Sequence, residues 1–299
     1  MYRRSVRTTV LLLALAAAGC GPSGESPPAP NVRSGSGSAM TGSGAADAGS
    51  GAQGTFADLP TALAALIPAD ARVLGFGELH ARTDRAQVRS ALERFTHEGL
   101  PGLSDRLSDL VIETWVQDKA CGAAAAEATA RVEITMRRPL ETKSEIAQLA
   151  EAARAAKVQP HAMTITCADY ARIAPAGKDV DPEAMLALTT RELGRITTEV
   201  LAKRDGEPGH RPWIAVYGGA LHNDRFPEPG TEDWSYAAAI DRATGGELVE
   251  FDLIVPEYAA GEPMVKRQPW YALVEHADNQ VHVWRRGERS FVLVLPRTP

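Results

Sequence analysis

The spacing of apolar positions changes several times along the chain, and each change marks an element. Leu59 to Ile67 has helical spacing and ends at Pro68, while Ala71 to Phe76 is a short apolar run that reads as a buried strand. Asp84 to Glu98 is amphipathic, with Val88, Leu92 and Phe95 near a period of about 3.6 residues, and Gly99 and Pro101 predict its stop. Leu107–Ile112, Val158–Thr166, Trp213–Tyr217 and Leu248–Val255 read as further apolar strands. Ala120–Val132 and Ser144–Lys157 read as helices, the second with Ser144 as N-cap. Pro182–Arg204 is a long helix with Asp181 capping and Pro182 at its first position. Ser235–Arg242 is a helix closed by Gly245 and Gly246. Val281–Trp284 and Phe291–Leu295 flank Arg-Gly-Glu and predict a hairpin.

Strands alternating with helices predict an α/β fold of three layers: a largely parallel sheet, helices on both faces and a C-terminal β-hairpin. The strands are apolar throughout, as strands covered on both faces must be. In such sheets ligands bind beyond the carboxyl ends of the strands, so chemistry is expected there.

The N-terminal pattern differs. Arg3, Arg4 and Arg7 precede Val10–Ala18, an uncharged apolar run of nine residues. That is too short to span a bilayer, which takes about 20 residues, and has the length of a signal-peptide core. It ends in Ala17-Ala18-Gly19-Cys20, which resembles a bacterial lipobox with Ala17 where Leu is commoner. Residues 1–20 are therefore expected to be a lipoprotein signal peptide, with Cys20 acylated and the protein exported and tethered to a membrane. Gly21, where an Asp would suggest inner-membrane retention, leans toward the outer membrane. Residues 21–55, rich in Gly, Ser, Ala and Pro, read as a disordered tether. Residues 56–299 are expected to form a single domain.

Net charge is −6 with acids and bases interspersed, so nothing marks a nucleic-acid partner, which would need a basic stripe. With Cys20 lipidated, Cys121 and Cys167 remain in an oxidising compartment, either bridged or as two free thiols.

Candidate chemistry gathers at the strand ends. The first strand runs into Gly75-Phe76-Gly77-Glu78-Leu79-His80, and the fourth into Tyr217-Gly218-Gly219-Ala220-Leu221-His222-Asn223. Both contain Gly-x-x-His, whose glycines permit a sharp turn and close backbone approach. Glu113 follows the second strand; an unpaired acid there is costly to bury, so it is expected to face the site. Asp169, after the third strand, is either a site residue or a helix cap. His97, His161, His210, His276 and His282 are expected to be structural. There is no zincin His-Glu-x-x-His and no Gly-x-Ser-x-Gly elbow, which argues against a serine nucleophile.

The paired turns Gly77-Glu78-Leu79-His80 and Gly219-Ala220-Leu221-His222 resemble the Gly-x-x-His motifs of the Tiki/TraB superfamily, closest to its ChaN-like haem-uptake lipoprotein branch. Glu113 and His222-Asn223 are similar to a pattern in the more distant erythromycin esterases. The resemblance covers roughly residues 57 to 255. It implies one of two activities. The first is a hydrolase, peptidase or esterase. Glu78, His80 and His222 would hold a divalent metal ion, Glu113 or Glu78 would act as general base, and Asn223 would donate to developing negative charge. Without metal, His80 itself would be the base. The second is a haem- or metal-complex-binding uptake lipoprotein, with His80, His222 and Tyr217 as candidate haem ligands. An inactive interaction domain is a third reading. The expected partners are the membrane, through the lipid anchor, and a small-molecule, haem or peptide ligand.

Overall fold

A computed structural model of the chain describes residues 51 to 299 apart from Ala52, Ala86 and Arg137. The signal segment, Cys20 and the tether as far as residue 50 lie outside the described residues. Among the described residues the strands are β1 (Gln53–Phe56), β2 (Val73–Glu78), β3 (Leu107–Gln117), β4 (Gln159–Ile165), β5 (Trp213–Gly219), β6 (Leu248–Ile254), β7 (Val281–Gly287) and β8 (Ser290–Val294). The α-helices are α1 (Leu59–Leu66), α2 (Ala91–Arg94), α3 (Leu100–Leu103), α4 (Gly122–Met136), α5 (Glu141–Ala155), α6 (Cys167–Ile173), α7 (Pro182–Asp205), α8 (Ala237–Thr244), α9 (Pro256–Ala259), α10 (Pro263–Lys266) and α11 (Tyr271–Glu275).

The strands form one sheet in the order β1-β7-β8-β6-β2-β5-β3-β4. From β8 to β4 every pairing is parallel, and β7 runs antiparallel between β8 and β1. This is the expected three-layer α/β fold with its C-terminal hairpin. Alternate residues of each strand feed two cores. Leu74, Phe76, Leu110, Ile112, Ala215 and Tyr217 pack with α1, α2, α3 and α5. Val73, Val111, Ile214 and Val216 pack with α4, α6, α7 and α8. The chain therefore crosses the end of the sheet whenever it passes between these helix groups.

Local chemistry explains the boundaries. Asp58 and Asp181 accept the N-terminal N–H groups of α1 and α7, each with proline in the first turn. Gly245 closes α8 in the left-handed conformation at φ 70°. The helix expected over 84–98 is divided. A 3-10 turn occupies Thr83–Arg85, and α-helix begins only at Ala91, capped by the Ser90 hydroxyl, and then runs past Gly99 to Leu103. A π turn at Phe95–Gly99 widens the backbone, with Leu100 N–H reaching Phe95 O, and carries the chain past Pro101. Ser144 lies inside α5, which starts at Glu141. Strand β1 begins within the segment expected to be tether, pairing Phe56 with Val281. The three short helices over 256–275 follow no long apolar period, and they cover Ile254, Val292 and Val294.

At the amino ends of the strands, buried Asp109 on β3 accepts two bonds from Arg204 of α7, at 2.6 and 2.9 Å, and one from His161 at 2.8 Å. Burial acts to raise the Asp109 pKa, but His161, Arg204 and Ser108 outweigh it and hold it well below the usual carboxylate range. This cluster pins α7 across β3 and β4, and fixes the helix whose first half lines the opposite end.

Among the described residues no helix is long and apolar enough to cross a membrane. Cys121 and Cys167 form a disulfide, which joins the entrance of α4 to the entrance of α6 and suits an oxidising compartment.

Candidate functional site

Strands β2 and β5 are neighbours, and their register sets the two glycine turns abreast: Gly77 opposite Gly218 and Glu78 opposite Gly219. The glycines serve close approach, and none of Gly75, Gly77, Gly218 and Gly219 has positive φ. A Cβ on Gly77 would lie 2.5 Å from the side-chain amide of Asn223 and 2.6 Å from Ala220 Cα. One on Gly218 would lie 2.8 Å from Glu113 Oε2, and one on Gly219 3.0 Å from His80 Nε2. The third wall is β3. Its register shifts between Ile112 and Trp115, so a bulge carries Glu113 and the strand continues to Gln117.

Glu78 lies on the α5 side of the sheet, where its Oε2 accepts the Tyr217 hydroxyl at 2.7 Å. Its Oε1 lies 2.8 Å from His80 Nδ1. A carboxyl partner there assigns the proton to Nδ1 and leaves the lone pair of His80 on Nε2. Glu113 lies on the α7 side. Its Oε2 accepts the Gly219 N–H at 2.6 Å, and its Oε1 lies 3.6 Å from His80 Nε2. His222 Nδ1 faces Thr190 Oγ1 of α7 at 2.8 Å and Trp234 O at 3.1 Å. The Thr190 hydroxyl donates to Trp234 O at 2.6 Å, so Nδ1 carries the His222 proton as well. His222 Nε2 then faces Glu113 Oε2 at 4.0 Å. Both imidazoles thus turn Nε2 toward one carboxylate.

A cation missed in the sequence completes the arrangement. Arg138 Nη2 donates to Glu113 Oε1 at 2.8 Å and also to His80 Nε2. The topology brings it there: α4 packs on one face of the sheet and α5 on the other, so the segment joining them crosses the carboxyl ends of the strands. The signal in the sequence was an arginine pair with proline between two helices, Arg137-Arg138-Pro139.

These neighbours set the protonation states. Burial and the Arg138 charge act to lower the His80 pKa, yet Glu113 and Glu78 outweigh them and leave it above the ordinary imidazole value. Burial acts to raise Glu113, but the charges of His80 and Arg138 hold it well below the carboxylate range. Burial lowers His222 despite the pull of Glu113, so that ring stays neutral more readily. Burial and then Glu78 push the Tyr217 phenol well above its usual value, which keeps it a donor.

The structure therefore brings together Glu78, His80, Glu113, His222 and Tyr217. Asn223 is 1% exposed and lies behind the site. Its amide reaches the backbone of both turns, with nitrogen on Ala220 O after β5 at 2.9 Å and oxygen on Gly77 N–H of β2 at 3.2 Å, and so ties the two glycine turns together. Asp169 is a helix cap: it forms a capping box with Thr166 and pairs with Arg191. His161, His210 and His282 make the structural contacts expected of them, with Asp109, Glu207 O and Asp278.

The set Glu78, His80 and His222 does not converge on one point as a metal would require. Glu78 and His80 face each other, His222 faces Glu113, and the Arg138 guanidinium already stands as the cation between His80 and Glu113. The metal-ligand types that do close within 4.8 Å of one another among the described residues are Asp118, Cys121 and Cys167. Their two sulfurs are joined in the disulfide.

Behind Asn223 lies a second charged cluster. Buried Glu250 and Asp252 of β6 share Arg286, at 3.1 and 3.4 Å, and Arg286 also holds Asp224 at 2.8 Å. Burial, first, raises both the Glu250 and Asp252 pKa values; repulsion from Asp252 adds to it at Glu250 and repulsion from Asp224 at Asp252, and Arg286 only partly offsets this.

No family model matches the chain, and no curated protein matches it. One solved structure, titled as that of the type III effector HopBA1, aligns with 80% of this chain and 93% of its own. The identity is 12% and the TM-score 0.39, a likeness too remote to carry function.

Proposed function

We propose that this domain is a hydrolase of acyl bonds, esters or peptides, with His80 as general base, carried on a lipid-anchored exported protein. The observation that carries the reading is the chain of contacts Tyr217–Glu78–His80. The phenol holds the carboxyl, the carboxyl holds Nδ1–H, and the lone pair is left on Nε2, on the Glu113 side of the ring. This is the arrangement that makes an imidazole a base, with an acid fixing its tautomer and stabilising the cation that forms. The resemblance to a superfamily with hydrolase branches supports the same reading. So does the disulfide, which is compatible with export. The lipobox at Cys20, with Gly21 after it, supports anchoring to the outer membrane.

The deciding experiment is hydrolysis of a panel of chromogenic esters and peptides by the full-length protein, with and without chelator. Hydrolysis is expected to persist in chelator and to fall by about 100-fold or more in His80→Gln, the usual scale for losing a general base. Because the His80 pKa is raised and the neutral ring is the base, kcat/KM should climb with pH through a midpoint above the ordinary imidazole value. Activity lost in chelator and restored by a divalent ion would return the role of Arg138 to a metal. Full activity in His80→Gln would remove His80 as base. A Soret band on adding haem, lost in His80→Ala/His222→Ala, would support the uptake reading instead.

A further inference from the structure

In this structure the base is capped. Arg138 Nη2 donates to the same Nε2 lone pair that would take a proton from water. Hydrolysis by His80 therefore requires Arg138 to leave it. The guanidinium is not fully satisfied where it stands. Nη2 serves His80 and Glu113, Nε is buried without a partner, and Nη1 has no bond among the described residues. A buried donor without a partner is destabilising, and a ligand oxygen would relieve it. Along the chain Arg138 is preceded by Ile134 and followed by Leu140, two strongly exposed apolar residues at 77% and 82%. Leu221, beside His222, and Val116, three residues beyond Glu113, are exposed as well. Four of the large hydrophobics exposed among the described residues are thus close in sequence to residues of this one site.

We propose that Arg138 is a mobile oxyanion donor, capping His80 Nε2 at rest and turning to the acyl oxygen of a bound ester whose apolar chain lies along Ile134 and Leu140. The assignment rests on the hydrolase reading for its chemistry and on the guanidinium for its binding. Once Arg138 turns, His80 Nε2 takes a proton from water and the water oxygen bonds to the acyl carbon. The carbonyl π pair moves onto the acyl oxygen, opposite Arg138. The pair returns as the bond to the alcohol oxygen breaks, and that oxygen takes the proton back from His80 Nε2. One ester and one water give one acid and one alcohol. Glu113 keeps its place throughout, held by the Gly219 N–H.

Methylphosphonate and butylphosphonate mimic the tetrahedral anion and can be titrated calorimetrically into the full-length protein. Wild type is expected to bind both, with the butyl compound favoured by about tenfold, the scale set by partial burial of three methylenes. Arg138→Gln should weaken both by about tenfold or more, as loss of a charge-assisted hydrogen bond does, and Arg138→Lys should recover part of it. Ile134→Ser/Leu140→Ser should keep methylphosphonate binding and lose the butyl preference. An unchanged melting temperature shows that each variant folds. Absence of phosphonate binding in wild type, equal binding in Arg138→Gln, or a butyl preference that survives the double serine variant would each overturn the proposal. If Arg138-dependent binding holds but no ester is turned over by wild type, the donor assignment stands and the hydrolase reading fails.

Discussion

Replacing the disulfide tests how the cover of the site is held. Cys121 ends the turn after β3, with its N–H on Asp118 O, and Cys167 opens α6 after β4. The bridge spans 46 residues of sequence. A loop of that size, closed in the denatured chain, removes entropy equivalent to about 4 kcal/mol at 25 °C. The enclosed segment contains α4, Arg138, α5 and β4. Cys121→Ser/Cys167→Ser should therefore lower the unfolding free energy in urea by about 2–4 kcal/mol, since native removals fall mostly in that range. Circular dichroism over a urea series gives the midpoint, and an altered slope would expose a change in the denatured state. The effect should also be local. Amide exchange in 122–136 should quicken in the variant, while α7, pinned by Arg204 and Asp109, should hold its protection. A loss under about 1 kcal/mol at unchanged slope would refute the loop argument, because so small an effect leaves no room for the entropy worked above. Equal quickening of α7 would refute the claim that the bridge governs α4.

Asp109→Ala strands Arg204 and should cost about 3–5 kcal/mol by urea unfolding at neutral pH; a cost under about 1 kcal/mol would show that the cluster is not structural. The depressed Asp109 pKa means its contribution is complete above the ordinary carboxylate value and fades as pH falls below it, so the gap between variant and wild type should shrink in acid. Glu250 behaves in the opposite sense. Its pKa is raised, so the folded state binds more protons than the unfolded one, and stability falls as pH rises from the ordinary carboxylate range toward neutrality. Glu250→Gln should flatten that decline in thermal melts, and parallel curves for the two proteins would contradict it. Gly77→Ala should lower stability by about 1–3 kcal/mol, the usual scale for overpacking, because its Cβ would meet Asn223, Ala220 and Asp252 at 2.5 to 2.6 Å; a neutral melting temperature would show that the glycine serves something other than close approach.

Where local chemistry decides, the sequence was legible. Asp181 with Pro182 marked α7, Gly245 closed α8, and unbroken apolar runs marked the parallel strands. Period alone misled at 84–98, because the hydrophobic stripe continued while the backbone changed from a turn to helix to a π turn. The short helices of 256–275 have no repeat long enough to register. In the site, Glu78, His80, Glu113 and His222 were readable because strand ends are where parallel sheets gather side chains, and the two turns shared a spacing. Arg138 was not, since its place depends on α4 and α5 packing on opposite faces, which no local pattern records. Asn223 was read as a site donor, yet its neighbours in space are glycines that leave room for its amide against their backbone.

The acid–base network straddles the sheet. Glu78 and Tyr217 belong to the layer under α5, whereas Glu113, His222 and Thr190 belong to the layer under α7. His80 joins the two halves. A partly folded form with one helical layer docked would hold only half the network, and His80 would lack the charges of the other half. The electrostatic state of the His80 ring is thus a sensor of complete assembly: its titration midpoint by NMR would separate the finished protein from a compact intermediate with native-like secondary structure.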